Sequence, residues 1–169
     1  MLCANSSIAR RAALQCVFDT SYQRIHDVEA GMRLWTAGYR PHFAPKAVAY
    51  ELFLKGPESL LLDATLQGKY EVILAARCPE FRPMAAIVRI HQGSPLKRAL
   101  RKQLAVHPAA SEFVLRAVYS RANSLRVLPG FPWLARRVLK ARAGVAQLKG
   151  AIEEAGSWER LNELFGRQR

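Results

Sequence analysis

The sequence predicts a helix-dominated α/β protein, with an α/β segment over residues 1–80, a linker over 81–95 and a basic helical extension over 96–169. Three observations carry this. Prolines at 41 and 45 exclude helix between residues 39 and 52, while Phe43 and the run Ala47-Val48-Ala49-Tyr50 supply the short apolar stretches of a buried strand. Helical periodicity bounded by start and stop residues recurs on both sides of that stretch. Charge is divided unevenly, because residues 1–95 carry 11 Lys/Arg against 8 Asp/Glu and residues 96–169 carry 15 against 5.

Taken in order, Ser6 or Ser7 is placed to cap a helix through about Val17, with Ile8, Ala12 and Cys16 on one stripe. Phe18-Asp19-Thr20-Ser21 reads as a turn. A second helix starts near Asp27, a suitable N-cap, and ends before Gly38, a natural C′ residue. Its predicted apolar face is Val28, Met32 and Trp35, with Leu34 beside it. Pro57 suits the first turn of a helix running past Gly68 to Ala76, and Pro79 and Pro83 bracket the next break. Beyond Pro95, basic helices are expected at about 96–106, 109–122 and 133–154. A short last helix follows from Ser157.

Composition narrows the function classes. With 50% hydrophobic and 23% charged residues the chain is suited to a sizeable core. The net charge of +13 points to an anionic partner, whether nucleotide, nucleic acid or lipid surface. Cys3, Cys16 and Cys78 lack the spacing of a disulfide framework or zinc knuckle and fit a reducing, cytoplasmic setting. His26, His42, His91 and His107 share no ligand spacing, so no metal site is assigned. No Gly-rich phosphate loop occurs. The first residues lack the basic and apolar regions of a signal peptide, and no apolar run approaches the ~18 residues of a spanning helix.

One group of motifs in order adds a resemblance. Asn5, Arg10-Arg11 and Phe18-Asp19, followed by His26-Asp27-Val28-Glu29 and Gly38-Tyr39-Arg40, resemble the acceptor-side half of a family 2 glycosyltransferase. Gly68-Lys69-Tyr70-Glu71 ahead of Cys78-Pro79-Glu80 continues the likeness. The resemblance implies an incomplete GT-A, Rossmann-like half. The parent activity would be transfer of a sugar from a nucleotide-sugar to a polysaccharide, lipid or other hydroxyl acceptor, with a divalent cation, Mg or Mn, as cofactor. No Asp-X-Asp triplet is present, His26 stands where the family usually has Glu, and Glu51 stands where it commonly has His. The chain alone is therefore expected to be inactive. Met1 falls on a segment that lies mid-domain in the family, implying a truncated or split reading frame, an internal start, or a separate chain that supplies the missing N-terminal half.

An inverting sugar transfer needs a carboxylate to deprotonate the attacking hydroxyl, and the resemblance assigns that role to Asp27, which is equally suited to capping its helix. Asn5, Arg10, Arg11, Glu29, Arg33 and Trp35 are the implied substrate-binding residues. Each has a plain alternative. Asn5 can close a turn, Arg10 and Arg11 can face solvent, Glu29 and Arg33 have the spacing of an intrahelical pair, and Trp35 can join a core.

The C-terminal extension supports a second function class. Lys97-Arg98, Arg101-Lys102 and Arg136-Arg137 with Lys140 and Arg142 are spaced to cluster on helix sides opposite Leu134, Val138, Leu139 and Val145. Such basic amphipathic helices lie on an anionic membrane surface, here a peripheral location at the inner face, or on nucleic acid. Few aromatics interleave the charges, which weakens stacking on single strands.

Overall fold

In a computed structural model of the chain, residues 6–16, 18–50, 55–91, 94–125 and 132–166 are described, and they divide into two units, Met1–Lys55 and Gly56–Arg169. The structure is 75% helical, and no strand or sheet occurs among the described residues. This overturns the α/β expectation and, with it, the GT-A, Rossmann-like half.

The reason lies in residues 39–50. Phe43, Val48 and Tyr50 are 84%, 68% and 97% exposed, and this stretch forms no regular element. A strand persists only where a neighbour takes up its N–H and C=O groups. An edge piece and then a strand are expected here, but among the described residues of this unit neither forms and no other strand lies beside them. Glu51 lies outside the described residues.

The first unit is built on α1 (Arg10–Gln15) and α2 (His26–Thr36). α1 is shorter than expected and begins after Ala9, with no serine side chain capping it. Ala12 of α1 and Cys16 just after it pack with Leu34 of α2, and Tyr39 closes the cluster. Burial on α2 thus follows Ala30 and Leu34 rather than the expected Val28, Met32 and Trp35 row. The small Ala30 side chain permits close packing along the row it shares with Leu34.

α2 ends in a Schellman turn. Tyr39 N–H donates to Leu34 O at 2.9 Å and Gly38 N–H to Trp35 O at 3.0 Å, while Gly38 takes φ +89°. Tyr39 then lies against the same cluster as Leu34, the apolar contact this motif commonly carries. Gly38→Ala forces an L-residue into the left-handed region and is expected to weaken the turn by about 1 kcal/mol. Hydrogen exchange at the Tyr39 amide should quicken about fivefold.

The second unit centres on α3 (Pro57–Arg77) and α7 (Pro132–Ala155), joined by α4 (Ala86–His91), α5 (Pro95–Val106), α6 (Pro108–Ser124) and α8 (Trp158–Phe165). α3 begins at Pro57, where a missing N–H does no harm, and α8 is capped by Ser157 Oγ accepting from Arg160 N–H at 3.1 Å. Residues 81–95, expected as a linker, hold most of the 3-10 turn Pro79–Met84 and all of α4, both packed on α3 and α8. Phe81, Ala85, Ile87 and Val88 there are buried, so residues 81–88 contribute to the core.

Two glycines set the α3–α7 spacing. A Cβ on Gly68 would lie 2.8 Å from the Gln147 carbonyl carbon, and one on Gly150 would lie 2.8 Å from that of Thr65. Pairing 68 with 147 and 65 with 150 makes the helices antiparallel. Leu74, Ile87, Leu148 and Leu161 fill the centre, with Phe81, Trp158 and Phe165 also buried. Gly68-Lys69-Tyr70-Glu71 is one turn of α3 against α7.

Buried among these helices is Glu71. Its carboxylate accepts from Gln67 Nε2 at 2.8 Å, Gln147 Nε2 at 3.1 Å and the Ile87 N–H at 2.8 Å. It therefore caps α4 from another helix and ties α3 to α7. Burial pushes this carboxyl above its ordinary range, against the opposing pull of the donors.

Candidate functional site

The residues assigned to sugar transfer lie in the first unit, except that Asn5 is outside the described residues. Ile25, with φ 55°, supplies the non-helical lead-in to α2. Asp27 consequently sits inside the first turn rather than at the N-cap, with Oδ1 accepting the neighbouring Val28 N–H at 2.9 Å. Glu29 and Arg33 are brought together in a two-pronged intrahelical pair, Nε to Oε1 at 2.6 Å and Nη2 to Oε2 at 2.9 Å. That pairing raises the Arg33 guanidinium further above its ordinary value. Arg10 and Arg11 are exposed on α1.

Trp35 is 55% exposed and stacks under Arg40, whose guanidinium lies 4.0 Å from the ring centroid. It is not in the core. Among the described residues no group of three His, Cys, Asp or Glu side chains is placed to hold a metal ion. What these residues show is local structure: a helix start, an intrahelical pair and a stacked arginine.

The second unit carries a different arrangement. Residues 96–142 hold 11 Lys/Arg and one Asp/Glu, so the +10 of the C-terminal extension is concentrated on α5, α6 and the first half of α7. These three helices pack on one another. Lys97, Arg98, Arg116, Arg121, Arg136 and Lys140 are exposed and, among the described residues, engaged in no ion pair. Arg137 lies over Trp133 at 5.1 Å. Lys102 reaches Glu159 at 3.2 Å and is partly covered.

No protein-family model, curated protein or solved structure matches this chain.

Arg142 departs from the expected cation cluster. Its side chain is 1% exposed, paired with Glu112 of α6 and at 3.5 Å from Glu58 of α3, and its guanidinium lies 5.4 Å from the Tyr119 ring centroid. The spacing explains this, since 138, 142 and 145 share one helical stripe and Arg142 therefore falls on the apolar side of α7. Its role is to bind α6 to the α3–α7 pair.

Between the exposed cations stand exposed apolar side chains that charge counting does not find. Leu96 and Leu100 on α5 are 80% and 59% exposed, and Phe113 and Val114 on α6 are 78% and 53% exposed. The signal in the sequence is doubled periodicity on α6. Ser111, Leu115, Tyr119 and Ala122 form one line, and Ala110, Phe113, Val114, Ala117 and Val118 form a second, broader exposed face that begins beside it at Val118 and reaches the far side at Phe113. Packing on α7 covers only the first. No described helix is long and apolar enough to cross a membrane.

Proposed function

We propose that the second unit is a peripheral docking module that adsorbs to an anionic membrane surface through α5, α6 and the first half of α7. The observation that carries this is the set of exposed cations on three mutually packed helices, in no ion pair among the described residues and interleaved with exposed apolar side chains. A bilayer interface presents anionic phosphates beside an apolar layer, which matches both parts. Nucleic acid matches only the charge, and its preferred stacking partners are scarce here.

Each cation near an anionic leaflet contributes roughly 1 kcal/mol. Cosedimentation of the full chain should therefore occur with vesicles containing phosphatidylserine and not with pure phosphatidylcholine. Replacing Lys97 and Arg98 together by glutamine should weaken that binding about 30-fold. Equal binding to both vesicle types would refute the proposal, as would tighter, salt-sensitive binding to random duplex DNA.

A further inference from the structure

We infer that α6 is a hydrophobic anchor, whose outer stripe of Phe113, Val114 and Val118 enters the acyl boundary of the bilayer while Arg116 and Arg121 hold lipid phosphates. This rests on the membrane docking proposed above and adds the residues that insert. Phe113, Val114 and Val118 are 78%, 53% and 47% exposed, although the helix is already anchored along another line. That line holds buried Ser111 and Ala122, and the helix is tied down by the Glu112–Arg142 pair. α6 thus offers an apolar stripe on a fixed helix, free to insert without giving up the fold.

Charge selects the occupant. Arg116 and Arg121 are exposed on the same helix as the stripe, and a single acid, Glu112, stands between residues 96 and 142. A second copy of this chain would bring two fields of the same sign together, which opposes association. An anionic bilayer brings the opposite sign, and arginine heads can stay at the phosphates while neighbouring apolar groups go deeper. Together with Ala110 and Ala117, the stripe residues recur at spacings of three and four over two turns, so they present one broad apolar face.

Adsorption by charge alone is screened away at high salt, whereas insertion persists. The wild-type chain should remain partly on phosphatidylserine vesicles at about 1 M salt, where the Debye length is about 3 Å. Phe113→Ser combined with Val118→Ser should release it there and weaken low-salt binding about tenfold or more. Both positions are exposed, so helicity and melting should be unchanged. As a second measurement, wild-type protein injected beneath a phosphatidylserine monolayer should raise its surface pressure, and the double variant should not. Low-salt binding that vanishes at about 1 M salt, equally in both proteins, overturns insertion and leaves docking standing. Failure to bind at any salt overturns both. A wild-type dimer in sedimentation that the double variant converts to monomer also overturns the inference, in favour of a second copy.

Discussion

Gly68→Ala should destabilise the second unit by about 2–3 kcal/mol, seen as a lower urea midpoint for the full chain. The obstacle is backbone. A Cβ at 68 would lie 2.8 Å from the carbonyl carbon of Gln147, closer still to its oxygen, and 3.1 Å from the Ala151 nitrogen. A flexible side chain would swing aside, but a helical carbonyl moves only if α7 retreats as a whole. Retreat opens gaps beside Leu74 and Leu148, which are 1% and 0% exposed. The helix-propensity gain of alanine over glycine, about 1 kcal/mol, offsets only part of this.

Gly144 provides the control on the same helix pair. Nothing lies within 4 Å of a Cβ built there, so Gly144→Ala should stabilise by about 0.5–1 kcal/mol. A midpoint for Gly68→Ala at or above wild type would show that α3 and α7 do not approach as described.

The second large effect is expected at Glu71. Its removal in Glu71→Ala leaves the Ile87 N–H and the Gln67 and Gln147 amides without their buried acceptor, at a loss of about 3 kcal/mol. The pH dependence has a defined sign. Burial raises this carboxyl above its ordinary value of 4.5, so the folded state holds the proton more tightly than the unfolded chain. The resulting stability contribution is therefore greatest below 4.5 and declines as pH rises through the raised value. Glu71→Gln stays neutral and should remove that part of the slope, so the wild-type and variant curves of unfolding free energy against pH should diverge as pH rises. Parallel curves would mean that Glu71 does not titrate in a buried site.

Much of the helical layout was legible because its signals are local. Pro57 opens α3, Ser157 caps α8 and Gly38 takes the positive φ that ends α2. Each depends on the dihedral or hydrogen bond that one residue type allows. The Glu29–Arg33 pair was legible for the same reason, being four residues apart on one helix.

The described residues 39–50 form no strand, because a strand is not a local object. The alternation of prolines and small apolar runs excludes helix correctly, yet what remains becomes sheet only if a partner strand exists. The same limit applied to the candidate site. Asp27 carries the residue type of a catalytic base, but a base is recognised by what it faces, and the described contact is with its own neighbour's amide. Arg142 groups by charge with the exposed cations although its stripe points inward, because net charge carries no information on which side of a helix bears it.

The amino-acid sequence by itself determined where α3 and α8 begin and where α2 ends, that one stretch cannot be helical, and that positive charge gathers beyond residue 95. These follow from side-chain chemistry, backbone dihedrals and summation of charge, none of which needs a neighbour. Only the tertiary structure decided that Gly68 and Gly150 are contact points, that Glu71 and Arg142 are buried, and that the Phe113 side of α6 is left uncovered. Burial is a property of pairs of surfaces, and the partner of each surface is chosen by packing across the chain.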